Sequence, residues 1–296
     1  MQDKFQLTRE ENVFLAKRRW PDSIYCGMRM ENRNVSFPQT LTILEGVNVS
    51  GVSLSDVQAI LNMRDAWRFV IDSLEEAIDI GYLCQIQEKV AFREALAWGV
   101  LRSGAIGISG VSYSPPIPEP TTVEAELAQI ITRRDSPTQI ALDLFCWLTR
   151  SQLFWDGNKR TAMLAANKVL VAAGAGVLLI SDYDMLEFMT LLSAFYESGE
   201  ASAIQRFLYS KAIYGLDTPI TQLAEPDDST NRRTAAWLKA QRQAKGLTQK
   251  ELAEASGVAV STIANLEQRQ RRGSPATWLK LEEGLLRDSA TPGLGR

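Results

Sequence analysis

The sequence SQLFWDGNKRT, in the middle of the chain, has the residue types of an anion-binding loop. Gly157 permits close approach of the backbone to a ligand, and the Asn158 side chain can donate hydrogen bonds. Lys159 and Arg160 bring positive charge to the start of a helix, where free N–H groups and the helix dipole favour anions. Asp156 is a hard oxygen ligand suited to Mg²⁺ that bridges phosphates. On these residues alone, a phosphate and Mg²⁺ site and a capped, solvated turn are equal alternatives.

The same stretch carries Gln152 at the position where a reaction would need a proton acceptor. An amide can orient an attacking hydroxyl group but cannot take its proton. The chain contains no His, so the commonest general base and the commonest metal ligand are both absent. A general base contributes about 10²–10⁴ in rate. We therefore expect any transfer reaction at this loop to be slow or lost.

The elements around this loop are predicted to be helical. An apolar helical pattern over residues 137–149 leads into the loop. A helix from about Lys159 to Ala173 is apolar nearly all round, which predicts a core helix. Before Thr40 the sequence is weakly periodic, and Pro21 is expected to break any long helix. One stretch, RSGAIGISGVSYSPPIPEP, differs: its Gly and Pro residues predict a short hairpin and an extended exit.

A second informative stretch is GLTQKELAEASGVAVSTIANLEQ, near the C-terminal end of the sequence. Thr248 and Glu251 form a capping box, which predicts the start of a helix. Gly257 can take the positive φ angle that a tight turn needs. A second helix is predicted over residues 260–268, and further apolar residues, including Trp278, supply a closing helix. Together these features predict a helix-turn-helix unit.

The charge of the chain is unevenly distributed. Residues 230–287 contain eleven Lys or Arg against five Asp or Glu, whereas the whole chain has a net charge of −3. A basic module on an acidic body indicates that the two parts meet different partners. The polar, turn-rich text between them reads as a linker.

The basic module resembles the Cro/C1-type helix-turn-helix family along its full length. The resemblance implies binding to double-stranded DNA, as a homodimer on an inverted repeat. It implies that Val260, Ser261 and Asn265 face base edges and that Gln249 anchors the DNA backbone. The residues placed to neutralise phosphates are Arg269, Arg271 and Arg272. The alternative is a small helical protein-binding module with solvated charge.

The central loop and its surroundings resemble the Fic (Fido) family, whose motif is His-x-Phe-x-Asp/Glu-Gly-Asn-Gly/Lys-Arg. The resemblance covers roughly residues 40–213. It implies a helical bundle with one hairpin, ATP with Mg²⁺ as cofactor, and transfer of AMP to a hydroxyl group on a protein (AMPylation). Asp156 would then bind Mg²⁺, and the following loop would bind the nucleotide phosphates. The residues that match the motif are Phe154, Asp156, Gly157, Asn158, Lys159 and Arg160.

Two departures make this a degenerate motif. The family His is replaced by Gln152, and the Arg found three residues after Arg160 in AMP-transferring members is replaced by Met163. The Doc branch, which transfers phosphate, shares the Lys-Arg-Thr-Ala run but keeps the His. The resemblance therefore implies that phosphate and metal binding survive better than transfer does.

Two further segments resemble accessory parts of the family. The stretch VLRSGAIGISGVSYSPP resembles the flap that holds the target segment, which implies that Ile108, Gly110 and Tyr113 contact a target. The stretch TILEGVN resembles the inhibitory segment, which implies that Glu45 reaches over the nucleotide site. Without the family Arg, Glu45 would meet Arg160 or nothing. A helix end packed on the bundle is an equal alternative for this segment.

The predicted fold is mainly α: a Fic-type helical bundle with one β-hairpin flap, plus a small all-α helix-turn-helix domain. No apolar run approaches the roughly 20 residues of a membrane helix, and three widely spaced Cys residues fit a reducing cytoplasm. The predicted segments are an N-terminal extension, a Fic-like domain, a linker, a helix-turn-helix domain and a tail, at residues 1–39, 40–213, 214–231, 232–287 and 288–296.

The sequence thus predicts a DNA-binding transcription regulator with a nucleotide-binding Fic-like domain whose AMP transfer is weak or lost. The main alternative is an active adenylyltransferase, or a Doc-like phosphotransferase, with an atypical base and a protein target. A toxin–antitoxin interaction protein is the third interpretation.

Overall fold

Helices dominate the computed structural model. It describes residues 1–216 and 235–268 and, beyond these ranges, residues 277, 280, 281, 284 and 285. The chain divides into two compact units, Met1–Pro219 and Ile220–Arg296. The mainly α fold class is therefore confirmed. Most of the predicted linker and all of the predicted tail lie outside the described residues.

The elements of the first unit follow one another along the chain in a fixed order. They are α1 (Arg9–Met30), α2 (Phe37–Leu44), α3 (Leu54–Asp72), α4 (Ile80–Val90), α5 (Pro120–Ile131), α6 (Pro137–Ser151), α7 (Asn158–Ala172), β1 (Val177–Leu178), α8 (Met185–Ser198), α9 (Ser202–Phe207), a π-helical turn (Leu208–Ala212) and β2 (Ile213–Tyr214).

Helix α7 is the core helix that its apolar sequence predicts. It packs against α6, α1, α4 and α3, and most of its residues are buried. Its buried Asn167 donates to the carbonyl of Leu178 at 2.8 Å and accepts from the N–H of the same residue at 2.8 Å. A polar group inside the core is therefore satisfied by pairing with β1.

Helix α1 corrects the prediction that Pro21 ends helical structure near the N-terminus. The helix runs through this proline, which lies well inside it, and begins at a capping box of Thr8 and Glu11. An interior proline costs about 3 kcal/mol. Burial of Leu15 and Ile24 offsets this cost, because each such side chain contributes about 1.5–3 kcal/mol. Residues 1–39, predicted as an extension, thus belong to the first compact unit.

The hairpin predicted within residues 102–120 is also corrected. This loop turns between Ile108 and Val111, whose N–H donates to the Ile108 carbonyl at 3.2 Å, but its two arms form no ladder. Pro115 and Pro116 lack the N–H groups that a ladder requires. The sheet within the described residues is instead the antiparallel pair β1–β2, in which Val177 pairs with Tyr214 and Leu178 with Ile213.

The second unit contains α10 (Ala235–Ala244), α11 (Gln249–Ser256) and α12 (Val260–Glu267). The predicted capping box of Thr248 and Glu251 is confirmed. The predicted turn is confirmed too, because Gly257 has φ 68°. Trp278, expected in a closing helix, lies outside the described residues. The core of the unit is formed by Leu238, Leu252, Val258, Ile263, Leu266, Leu281 and Leu285.

Candidate functional site

Gln152 ends α6 in a left-handed conformation, with φ 47° and ψ 56°. Its side-chain Nε2 donates to the carbonyl of Thr149 at 2.6 Å. Its backbone carbonyl accepts a hydrogen bond from Arg102 Nε at 2.6 Å. The residue at the position of a general base is therefore held as a helix cap, and its amide donor points back to its own helix.

Asn158 closes the loop between α6 and α7 onto itself. Its Nδ2 donates to the Phe154 carbonyl at 2.8 Å, and its Oδ1 accepts from the Phe154 N–H at 3.0 Å. Both residues are buried. Asn158 was predicted to hold a nucleotide phosphate, but in the structure its side chain is used to shape the loop.

The start of α7 keeps the features of an anion site in its backbone. Gly157 has φ 74°, and a Cβ added there would lie 2.9 Å from Val90 Cγ1, so only glycine fits. The helix has no side-chain cap, which leaves N–H groups of its first turn for a ligand. Asp156 lies beside them with its side chain 47% exposed, although its Oδ1 accepts from the Gly157 N–H at 2.5 Å.

The two cations predicted to bind phosphate are already paired with carboxylates. Arg160 is 1% exposed, and its Nη1 lies 3.2 Å from Glu94 Oε1. Its Nη2 lies 3.8 Å from Asp156 Oδ1, and its Nε lies 3.6 Å from Glu31 Oε1. Lys159 Nζ lies 3.1 Å from Glu31 Oε2. The charge of this loop is thus largely neutralised by the protein itself.

Glu94 is the centre of this ion-pair network. Its side chain is 6% exposed and pairs with Arg33 as well as with Arg160. Asn62 Nδ2 donates to Glu94 Oε1 at 2.8 Å, and Arg33 Nη1 reaches Asp56 Oδ1 at 3.0 Å. These members of the network were not singled out from the sequence: Glu94, Arg33, Asn62, Asp56 and Glu31. They lie far from the motif along the chain and belong to no local pattern that could have indicated them.

Arg102 was also missed, although it fixes the predicted flap to the motif loop. This buried side chain donates to the carbonyls of Gln152, Gly104, Pro115 and Pro116. Burial lowers the pKa of its guanidinium. Four carbonyl partners compensate the buried charge and tie the two arms of the loop together.

The predicted target-binding residues lie at the far end of that loop. Gly110 has φ 75° and is exposed, and Ile108 is half-buried. The guanidinium carbon of Arg150 lies over the ring of Tyr113, 3.8 Å from the ring centroid. Both the N–H and the hydroxyl of Ser112 donate to the Glu197 carboxylate. The loop is therefore held at its base by Arg102 and near its tip by α8.

Glu45 and Arg160, which could form an inhibitory contact, do not meet in the structure. Glu45 is exposed at the end of α2, and within the described residues its carboxylate forms no ion pair. Met163 is fully buried, and its sulfur faces the Ser23 hydroxyl at 3.8 Å. The partners of Arg160 are other carboxylates, so of the two alternatives given for Glu45, Arg160 or nothing, the structure does not show the contact with Arg160.

The helix-turn-helix unit exposes part of the predicted DNA-reading surface. On α12, Val260 is 43% exposed, Ser261 is exposed and Asn265 is half-buried. Gln249, predicted to anchor a DNA phosphate, instead donates to Glu267 Oε2 at 2.7 Å. Three predicted phosphate contacts lie outside the described residues: Arg269, Arg271 and Arg272.

A buried ion pair connects α10 with α12. Arg242 Nε lies 2.7 Å from Glu267 Oε1, and its Nη2 lies 2.9 Å from the second carboxylate oxygen. Burial raises the pKa of Glu267, but hydrogen bonds from Arg242 and Gln249 outweigh this and hold it below its usual value. The bidentate geometry fixes the angle between the helices, which orients α12.

Comparisons with known proteins agree with this two-part architecture. Residues 77–170 match the Fic/DOC family model, and residues 238–287 match a helix-turn-helix family model. The chain therefore carries a Fic/DOC domain and a C-terminal helix-turn-helix domain of the Cro/C1 type, which implies DNA binding. A search of curated proteins finds no match.

Several solved structures are similar in fold to this chain. Fic-1 (aa134–508) from C. elegans is 21% identical, with a TM-score of 0.54 over 66% of this chain and 61% of that one. A Fic-domain signalling protein from Bacteroides thetaiotaomicron is 17% identical, with a TM-score of 0.55; the match covers 69% of this chain and 85% of that protein's chain. A Fic family protein from Desulfovibrio desulfuricans is 16% identical, with a TM-score of 0.54; the match covers 85% of this chain and 78% of that protein's chain. This chain thus spans about three fifths of the C. elegans chain, and the likeness concerns the fold.

Two further properties concern membrane helices and metal ligands. In the part of the chain that the structure describes, no helix is long and apolar enough to cross a membrane. Among the same residues, no group of three or more His, Cys, Asp or Glu could hold a metal ion. Mg²⁺ bound together with nucleotide phosphates requires only one or two carboxylates, which fits the half-exposed Asp156.

Proposed function

We propose that the chain is a DNA-binding transcription regulator whose Fic domain has weak or lost AMP-transfer activity. The observation that carries the proposal is the side chain of Gln152, which donates to the Thr149 carbonyl at 2.6 Å in place of a free base. An amide in this position can accept a hydrogen bond from an attacking hydroxyl but cannot take its proton.

DNA binding is supported by the surface and the rigidity of the second unit. The first turn of α12 presents Val260 and Ser261 to solvent, while its other face is anchored by the buried Ile263 and Leu266. The Arg242–Glu267 pair holds this helix against α10. A recognition helix needs this combination of an exposed N-terminal face and fixed orientation to enter a major groove.

Nucleotide binding is proposed to persist weakly through the backbone. ATP phosphates would meet the uncapped first turn of α7, close to Gly157, and Asp156 would hold Mg²⁺. Bound ATP would supply the transferable AMP group. Lys159 and Arg160 contribute little, because Glu31 and Glu94 already occupy their donors. This arrangement favours weak, backbone-based phosphate binding.

A second candidate function is an active adenylyltransferase or Doc-like phosphotransferase with an atypical base. The observation that favours it is the half-exposed carboxylate of Asp156 beside the uncapped start of α7. A partner protein, including a toxin or antitoxin, would then supply the target hydroxyl. In this case Asp156→Asn would abolish transfer, whereas Gln152→Ala would leave it unchanged.

Selection of duplex DNA from a random pool by the full chain tests the proposed regulator. We expect an inverted-repeat sequence, bound by a dimer with affinity that falls steeply as salt rises. Asn265→Ala should relax the sequence preference, whereas Arg271→Ala should weaken binding to all sequences alike. Absence of any salt-sensitive DNA binding would refute the proposal.

A further inference from the structure

A groove of about 650 Å³ lies in the first unit between α5, α6, the start of α9 and the extended residues 113–119. This volume falls within the roughly 300–1,000 Å³ of small-molecule sites. No residue from Asp156 to Arg160 is among the described residues that line it, so it is separate from the anion loop. Its apolar wall is formed by Pro116, Ile117, Val123, Ile130, Trp147 and Phe195.

Among the residues that the structure describes, one cation that lines the groove has no carboxylate partner. Arg150 is half-buried, and within the described residues no carboxylate lies at ion-pair distance from its guanidinium. Its Nε donates to the Tyr196 carbonyl at 3.3 Å, and its planar group stacks 3.8 Å from the ring centroid of Tyr113. The side chain is thus held in place while its terminal donors stay available to a ligand.

The carboxylates that line the groove are, in contrast, engaged. Asp143 pairs with Arg133 at 2.8 Å, Glu126 accepts from Trp147 Nε1 at 2.8 Å, and Glu119 caps the start of α5. Three carboxylates against two arginines disfavour a polyphosphate in the groove. A single negative charge directed at the unpaired arginine remains favourable.

We infer that this groove binds a small organic monoanion, with an apolar body against Ile117 and Trp147 and a carboxylate or sulfonate group on Arg150. Neither phosphate binding by the motif loop nor DNA binding by the second unit is needed for this. The bidentate donors of the guanidinium match a planar carboxylate. The apolar wall contributes affinity, and the arginine selects for the charge.

Two fluorescent probes that differ in charge test the assignment on the full chain. 8-Anilinonaphthalene-1-sulfonate has one sulfonate on an aromatic body, and N-phenyl-1-naphthylamine is its neutral analogue. Fluorescence titration should show saturable binding of the anion, with a Kd about tenfold below that of the neutral probe. Equal affinity for the two probes would overturn the inference.

Substitutions then locate the binding. Arg150→Met should raise the Kd of the anionic probe about tenfold and leave the neutral probe almost unchanged, which also shows that the groove is intact. Thr122→Trp, at an exposed lining position, should weaken both probes by filling the groove. Arg206→Met removes an exposed arginine of α9 and is the matched control, expected to change neither.

Two further results would contradict the inference, and one additional variant decides a remaining case. The first is anionic binding that survives Arg150→Met or Thr122→Trp unchanged, since the probe would then bind elsewhere. The second is displacement of the anionic probe by AMP at an equal concentration, which would assign the groove to a nucleotide. If Arg150→Met abolishes binding of both probes, the affinities of Arg150→Lys for the two probes are compared instead. A variant that still prefers the anionic probe supports the inference, and one that binds both probes equally overturns it.

Discussion

The guanidinium of Arg160 lies 3.2 Å from the carboxylate of Glu94, and both side chains are almost fully excluded from solvent. The motif resemblance assigns Arg160 to a nucleotide phosphate, whereas its position in the structure makes it part of the core between α4 and α7. The pair gives Arg160 a structural role that does not depend on a bound ligand. Its stability contribution can be measured separately from any ligand.

Removing one partner of this pair should destabilise the first unit strongly. Arg160→Met removes one of the two arginine partners of Glu94, and Glu94→Gln leaves Arg160 with its longer ion-pair contacts to Asp156 and Glu31. Because each change leaves a buried charge with fewer partners, we expect a loss of about 1–3 kcal/mol in the free energy of unfolding. The double variant with Met at both positions should lose less stability than the sum of the losses in the two single variants. Native-state hydrogen exchange of α7 amides measures these differences within one unit.

An exposed ion pair provides the control for that experiment. Arg68 lies 3.6 Å from Asp65, with both side chains about half exposed. Arg68→Met should therefore change the exchange of α7 by no more than about 0–1 kcal/mol. Equal effects of Arg160→Met and Arg68→Met would show that burial of the Arg160 pair has no energetic consequence.

Nucleotide affinity should depend on Glu31 and not on Glu45. Glu31 binds Lys159 at 3.1 Å and approaches Arg160, whereas Glu45 is exposed. Glu31→Gln should release Lys159 Nζ and tighten binding of Mg²⁺–ATP roughly tenfold, the equivalent of one charge-assisted hydrogen bond. Calorimetry on the full chain, with Glu45→Gln as the matched control, measures the change. A gain in the control variant alone would restore the inhibitory role predicted for Glu45.

The second unit should lose stability in acid through Glu267. Its pKa is lowered in the folded state, so its contribution is present above the unfolded value of about 4.3. That contribution is lost as pH falls further, through the folded pKa. Glu267→Gln should flatten the fall in α12 protection below about pH 4.3, measured by hydrogen exchange. The exposed Glu254→Gln serves as control and should keep the wild-type profile.

A second carboxylate contributes in the same acidic range. Hydrogen bonds from Thr248 lower the pKa of Glu251, so acid also weakens the start of α11. Glu267→Gln should therefore reduce the pH dependence of the second unit without abolishing it. A variant with the full wild-type dependence would show that the Arg242–Glu267 pair adds no pH-linked stability.

Local features of this fold could be predicted from the sequence. The capping box of Thr248 and Glu251 and the turn at Gly257 involve residues three or fewer positions from their partners, so the pattern itself carries the geometry. The all-round apolar pattern of α7 likewise predicts burial without knowledge of its neighbours. These elements were placed correctly for the same reason: their causes lie within one helix and its ends.

The contacts that define the site arise from long-range packing and could not be predicted. Arg160 meets Glu94 across 66 positions of sequence, and Arg102 meets the Gln152 carbonyl across 50. Matching residue types recur throughout the chain, so no spacing identifies these partners. Pro21 shows the same limit, because tertiary burial of α1 overrides its local preference.

The geometry of Gln152 determines what a restored base would need. The residue lies in the left-handed region at the end of α6, where His is among the side chains that occur more often than average. A His there keeps the backbone carbonyl that binds Arg102. Adding Met163→Arg, which the family pattern suggests, should instead destabilise the fold, because Met163 is fully buried and the new charge would lack a partner.

Gln152→His should therefore raise AMP transfer more than any other single change. We expect slow or no transfer by the wild-type chain and a gain of about 10²–10⁴ in the variant, the usual contribution of a general base. Incubation with ATP labelled in its α-phosphate and a cell lysate measures transfer to protein, with Gln152→Ala as the control. Rescue should be partial, because Glu31 and Glu94 still hold Lys159 and Arg160, and adding Glu31→Gln should increase it. Robust wild-type transfer that is unchanged in Gln152→Ala would contradict this account and identify Asp156 as the base to test next.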